Sequence, residues 1–180
     1  DFTIDKKRAI EICNGIASLD LNFFCFLRVN DAVDEIMMAL KKAGCWSIQF
    51  GFESGSQRIL DFIRKDVTVE QNAQAIKQTR KFKIFSEGAF IIGLPTETVQ
   101  DLLLTVRFIN KYAPDVLHMS DYRLYPSTHL YDYCIEHKLT KEPTTLEKWA
   151  QLNPQAGTFP TNVSEIPTEI LIKVYTTMQR

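Results

Sequence analysis

The chain has 180 residues, 45% apolar and 24% charged, with 21 basic against 22 acidic side chains and a formal net charge of −1. These proportions fit one globular domain and exclude disordered, collagen-like and mucin-like chains. So even a balance gives no electrostatic footprint for nucleic acid or an anionic membrane surface, and no apolar run reaches the length of a membrane span.

No basic-then-apolar leader marks secretion. The first residues, Asp1-Phe2-Thr3, read as the middle of something, and Gln179-Arg180 carries no stop signal, so the sequence reads as a piece of a longer protein. Asp5 to Ile16 reads as a helix and Asn22 to Val29 as an aromatic-rich strand. Asp31 to Ala43 is a helix with Val33, Ile36, Met37 and Leu40 on one face. Asn30 or Asp31 is placed to cap its start, and Gly44 to close it.

Trp46 to Glu53 is the most informative strand. Trp46, Ile48, Phe50 and Phe52 share one parity, while Ser47, Gln49, Gly51 and Glu53 share the other. A turn at Ser54-Gly55-Ser56 leads into a helix from Gln57, and a further helix from Val69 to Phe82 opens on the capping box Thr68-x-x-Gln71. Ile84 to Gly93 is a strand, Glu97 to Tyr112 a helix, Val116 to Leu124 a strand and Ser127 to His137 a helix. From Thr140 the pattern weakens and Pro143, Pro154, Pro160 and Pro167 punctuate it; a last helix runs from Thr168. The chain thus divides into a barrel portion, 1–139, and an extension packed on it, 140–180.

Alternating strands and helices imply parallel strands joined by helical crossovers. An open doubly wound sheet and a (β/α) barrel both satisfy that order. A strand covered on both faces should be apolar on both parities. Trp46–Glu53 is not, which favours an α/β fold of partial, TIM-like (β/α) barrel type, its polar parity facing a lumen and its chemistry at the C-terminal strand ends.

Glu53 sits at such an end on the polar parity, and Arg28 at the end of the preceding strand. In isolation Glu53 is equally well a solvated loop acid, and Arg28 a rim ion pair with it; opposite charges at the rim also suit a zwitterionic ligand. Gly51, Gly55, Gly88 and Gly93 permit turns or the close approach of a flat ligand. No dinucleotide or phosphate loop is present, and no Ser-His-Asp or Cys-His constellation is evident. Cys13, Cys25, Cys45 and Cys134 lack the gaps of about two to four residues typical of metal sites, and read as reduced structural thiols of a cytoplasmic protein.

Three segments in order, IQFGFESGSQRIL (48–60), FIIGLPTET (90–98) and YRLYPSTHLY (122–131), resemble the fourth, fifth and sixth barrel strands of radical S-adenosylmethionine (SAM) enzymes. The similarity spans about residues 1–138 and is nearest to the cobalamin-dependent-type subgroup that includes anaerobic Mg-protoporphyrin monomethyl ester cyclase-like proteins. The family's CxxxCxxC loop is absent. Thr96 and Ser127 stand where the subgroup has glycine, and Ala89 replaces the first glycine of the GxIxGxxE pattern.

The resemblance implies SAM as cofactor, a [4Fe–4S] cluster bound by residues outside this chain, cobalamin in an upstream domain, and a 5′-deoxyadenosyl radical that abstracts a substrate hydrogen. It implies that Glu53 and Ser54 line the ribose or methionine end of SAM. Arg28 would lie near its carboxylate or the substrate, Ile91 and Gly93 near the adenine, and Tyr122 to Tyr125 along the adenine side. The implied partner is a small-molecule substrate, not nucleic acid. Alone, the chain is expected to bind no cluster and catalyse no turnover, and its exposed strand edges imply a homodimer. Two other classes remain open: a different barrel lyase or isomerase, which needs a strand-end lysine or paired carboxylates, and a non-catalytic binding module on a degenerate barrel.

Overall fold

Four strands, β1 (Phe23–Leu27), β2 (Cys45–Glu53), β3 (Phe85–Ile92) and β4 (Val116–Asp121), form one parallel sheet whose spatial order is the chain order. This is a computed structural model, and it describes residues 1–152, 157, 159 and 161–178. A doubly wound sheet reverses its strand order and so puts helices on both faces. Without a reversal, crossovers of one hand leave the helices on a single side. The result is an arc of a (β/α) barrel, open on its concave face.

The helices are α1 (Lys6–Ile16), α2 (Asp34–Lys42), α3 (Gln57–Phe62), α4 (Val69–Phe82), α5 (Val99–Tyr112), α6 (His129–Glu136), α7 (Leu146–Leu152) and α8 (Thr168–Met178). Their starts follow local chemistry. Thr68 and Thr98 each accept a hydrogen bond from the backbone N–H three residues on, while Gln71 and Asp101 reach back to the cap N–H, two reciprocal capping boxes. The helix expected from Asp31 begins instead at Asp34. Residues 29–31 form a single 3₁₀ turn, and Asp31 accepts from Thr3 Oγ1 (2.6 Å) and Lys6 Nζ (2.8 Å), tying the first residues to β1.

The period-two pattern of the strands decides where the core sits. Ile48, Phe50, Phe52, Phe90 and Ile92 are sealed between sheet and helices, where Phe52 packs on Phe50, Phe90 and Phe108 at ring separations of 5.5, 5.6 and 6.0 Å. Trp46 shares that parity but lies at the strand's start beyond helical cover, half-exposed and edge-on to Phe85. All four cysteines are buried and free, with Cys25 Sγ 3.8 Å from Cys45 Sγ.

Beyond residue 139, Phe159, Ile166 and Leu171 join the main core, and Trp149 stacks on Tyr131 at 5.7 Å. Helix α7 occupies a stretch whose weak periodicity did not indicate it. Pro154 and Pro160 lie outside the described residues. No helix among the described residues is long and apolar enough to cross a membrane.

Candidate functional site at the strand ends

The alternate residues of each strand, those without helical cover, make up the concave face. Reading across the register, Gln49 stands beside Glu87 and Phe26, Gly51 beside Ala89, and Ala89 beside His118; one step higher, Ile91 stands beside Ser120. The lower edge of this face carries the exposed rings of Phe24, Phe26 and Phe85. The upper edge, at the C-terminal strand ends, holds two concavities.

The first, about 270 Å³, is lined by Leu27, Arg28, Gly51, Lys65 and Val67 with their neighbours. Glu53 stands beside it after a break in the register: Gly51 pairs with Ala89 but Glu53 with Phe90, a bulge, and Glu53 itself takes a left-handed φ of 61°. A non-glycine residue in that conformation stores local strain, a recurrent feature of ligand sites. The bulge folds its carboxylate back over Gly51, where a Cβ on Gly51 would come 2.4 Å from Glu53 Oε1 and 3.0 Å from Lys65 Nζ.

Lys65 pairs with Glu53 at 2.7 Å. The Arg28–Glu53 ion pair weighed from sequence does not form; Arg28 is exposed and faces the same concavity without a charged partner among the described residues. Lys65 itself escaped the sequence reading, which found no lysine at a strand end, because it arrives from the α3–α4 loop rather than along a strand.

The second concavity, about 390 Å³, is lined by Ile91, Ser120, Asp121, Tyr122, Arg123 and Tyr125. Three residues read from sequence thus share it: Ile91, Tyr122 and Tyr125. Burial, with a smaller contribution from Cys134, pushes the Tyr122 hydroxyl well above its ordinary range, so it stays protonated. That hydroxyl has no hydrogen-bond partner among the described residues. An apolar and aromatic wall suits a flat heteroaromatic base, and a cation-rich rim with the Glu53 carboxylate beside it suits an amino-acid end. The residues present therefore fit SAM.

Two residues assigned from sequence have polar groups engaged elsewhere. Ser54 is fully buried, and its Oγ bonds Thr105 Oγ1 of α5 at 3.1 Å. Its side chain closes the turn against the helix layer and lines neither concavity. Gly55 serves the same packing, since a Cβ there would meet Leu104 O at 2.7 Å. Gly93, at φ 81°, donates its N–H to Glu97 Oε2 at 2.6 Å, so its amide is already committed to the β3–α5 turn.

Glu97 closes that turn, accepting from Leu94 N–H at 3.2 Å as well. Burial pushes its carboxyl up to about 7, against the two amide bonds that favour the anion. Beside it, Asp101 is held well below the carboxylate range: burial opposes ionisation, and bonds from Arg58, Ser56 and Thr98 overcome it. Arg58 reaches Asp101 Oδ2 at 2.5 Å and the carbonyl of Thr96 at 2.6 Å, bracing the turn from outside.

Among the described residues no group of three Cys, His, Asp or Glu side chains is placed to hold a metal ion. The described residues therefore do not fit a [4Fe–4S] cluster.

Deeper on the concave face, Ser47 Oγ donates to Glu87 Oε1 at 2.6 Å, and Glu87 Oε2 lies 2.9 Å from His118 Nε2. The Ser47 bond, and after it His118, lower the Glu87 carboxyl against partial burial. The carboxylate stands in the middle and serine and histidine do not touch, so this is no nucleophile triad. Sequence reasoning missed the group because its members come from three strands. Of its members, the sequence reading places Ser47 on the polar parity that faces the lumen.

The sequence profile of the radical SAM superfamily matches residues 2–109. This chain belongs to that superfamily. It is 39% identical over 140 residues to an uncharacterized methyltransferase of Pyrococcus horikoshii, a match covering 77% of this chain and 30% of the relative. It is 33% identical over 133 residues to the anaerobic magnesium-protoporphyrin IX monomethyl ester cyclase of Rubrivivax gelatinosus, covering 72% and 24%.

The fold is also that of the radical SAM methyltransferase TsrM of Kitasatospora setae, solved with tryptophan and aza-SAM bound: TM-score 0.68, 17% identity, 76% of this chain and 29% of that one. That enzyme has also been solved with cobalamin and a [4Fe–4S] cluster bound. The chain spans less than a third of the length of the curated relatives just described.

Proposed function

We propose that this chain provides the SAM-facing and substrate-facing strands of an enzyme acting on a small molecule, with methyl transfer or tetrapyrrole ring closure as its chemistry. The observation that carries the reading is the pair of concavities at the C-terminal ends of the strands, one charged around Gly51 and one aromatic around Tyr122, in a chain of the radical SAM superfamily. Bound beside a reduced cluster, SAM supplies a 5′-deoxyadenosyl radical.

The chain's own residues bind and orient. Glu53, fixed by Lys65, presents a carboxylate to an ammonium or ribose hydroxyl. Arg28 presents a guanidinium to a carboxylate. Ile91, Tyr122 and Tyr125 exclude water from a flat base.

In this reading the cluster is held by thiolates outside this chain and cobalamin by a separate domain; TsrM, which shares the fold, has been solved with both cobalamin and a [4Fe–4S] cluster bound. Four free thiols suit a reducing, cytoplasmic setting. Lys65, brought to the strand ends by the α3–α4 loop, does not favour a Schiff-base lyase, because its ammonium is spent on Glu53.

The test is anaerobic reconstitution of the full-length protein with iron and sulfide, followed by SAM and a strong reductant. Formation of 5′-deoxyadenosine, lost in E53A with the cluster retained, is the expected result. A loaded cluster with no SAM cleavage overturns the reading.

A further inference from the structure

The hydrogen-bonded row of Ser47, Glu87 and His118 takes no part in the SAM site. It lies below both concavities, on the same concave face. Its gradient of exposure is directional: Ser47 is fully buried, Glu87 shows 14% of its side chain and His118 44%. A charged carboxylate is thus anchored from behind by a hydroxyl and caps the ring nitrogen of a histidine that stands forward.

In the neutral ring, an Nε2 turned to Glu87 donates its hydrogen to the carboxylate and leaves Nδ1 as an acceptor on the opposite side of the ring. Nδ1 has no partner among the described residues. The ground beside it is low. Ala89 adjoins His118 in register, and beyond it the Glu53 carboxylate lies over Gly51, so one small side chain floors the face between His118 and the charged concavity. Ile91 and Ser120 border this floor from above, and Gln49, beside Glu87, from below. A shallow floor ending in one directed acceptor matches a flat ligand with a hydrogen-bond donor on its rim.

We propose that Ser47, Glu87 and His118 form a hydrogen-bond-accepting station that positions the substrate, and that this substrate is a planar molecule presenting an N–H or O–H group, of phenolic, pyrrolic or indolic type. This rests on the reading of the concave face as the enzyme's lumen and adds to it the class of substrate. His118 is the contacting residue; Glu87 and Ser47 position it.

The test uses phenol as the probe and anisole, which lacks the O–H, as its control. Both are titrated into the full-length protein while the His118 ring nitrogens are followed by NMR, the signal being assigned by its loss in H118Q. The free protein is expected to show the Nε2–H tautomer. Phenol should shift the Nδ1 resonance saturably and anisole should not.

E87Q is expected to release the tautomer to a mixture and weaken the phenol response by about fivefold, as loss of a charge-assisted partner should. S47A should weaken it less. Because Glu87 and His118 keep some exposure, these variants are expected to fold, which circular dichroism checks.

An Nδ1–H tautomer in the wild type, an equal response to anisole, or a phenol response untouched by E87Q overturns the proposal. None of these readouts requires SAM cleavage. Failure of 5′-deoxyadenosine formation counts against the SAM reading alone, and failure of the phenol titration against this station alone.

Discussion

The two faces of the sheet are written by the same strands and obey opposite rules. On the helix side, Ile48, Phe50, Phe52, Phe90 and Ile92 are sealed, and the side chains pack so closely that a Cβ on Gly88 would stand 3.0 Å from the Phe52 ring. On the concave side, side chains are small, polar or half-exposed, and the bulge at Glu53 holds a left-handed residue where a regular strand would have none. One face stabilises the fold and the other is relieved of that task, so chemistry can be placed there at little expense to folding.

The largest test of this division is Phe52→Ala. Removing a fully buried ring that touches three other aromatics should cost about 3–5 kcal/mol, enough to threaten the fold, whereas Gln49→Ala on the opposite face should change stability by about 0.5 kcal/mol or less. Chemical denaturation of the two variants reads both values. Equal losses would dissolve the distinction between the faces.

Next in size is the pH dependence lodged in the β3–α5 turn. Glu97 holds its proton more tightly in the fold, at about 7, than the unfolded chain does at 4.5. Its stabilising contribution is therefore complete below pH 4.5 and disappears as pH climbs through 7, a swing of about 3 kcal/mol. Asp101 has the opposite sign, but its window lies at lower pH, where its depressed carboxyl begins to protonate. Denaturant midpoints between pH 5 and 8 should thus fall with rising pH in the wild type. The slope should flatten in E97Q, whose amide mimics the protonated acid.

These examples show what the sequence exposes and what it hides. Period-two alternation in Trp46–Glu53 is a local property, so the separation of core face from lumen face, and with it the barrel class, is legible residue by residue. Capping at Thr68 is equally local. The site is not. Ser54 lies one residue beyond Glu53, and only the tertiary approach of Thr105 turns it into the helix layer. Lys65 comes to Glu53 from 12 residues away and His118 to Glu87 from 31, and no spacing rule reports such meetings. Asp31 likewise reads as a cap until Thr3 and Lys6 are seen to claim it.

Gly51→Ala separates binding from stability on the concave face. The new methyl would meet Glu53 Oε1 at 2.4 Å and Lys65 Nζ at 3.0 Å, both ends of flexible side chains rather than backbone. They can swing away, so stability should change by less than about 0.5 kcal/mol. The carboxylate would then leave its place over the strand, and SAM affinity should fall by about tenfold, or about 1.4 kcal/mol. Calorimetric titration of SAM beside a thermal melt checks the two readouts. A large loss of stability with unchanged affinity would make Gly51 a structural glycine like Gly88.

The smallest effect concerns Thr96, which takes φ 64° in the β3–α5 turn, where the resembling sequences have glycine. A β-branched residue is poorly suited to that conformation, and the left-handed region costs an L-residue about 1–2 kcal/mol. Glycine removes that cost but gives the unfolded chain more freedom, which takes back about 0.4–1 kcal/mol. It also forfeits the 3.3 Å contact between Arg58 and Thr96 Oγ1, while the stronger bond to the Thr96 carbonyl survives. The contact is solvent-exposed and contributes little. Thr96→Gly should therefore stabilise the protein by about 0.5 kcal/mol, seen as a small rise in denaturation midpoint. A loss instead would mean that the Arg58 clamp, rather than backbone strain, sets the stability of this turn, and Arg58→Ala would then cost less in the Thr96→Gly background than in the wild type.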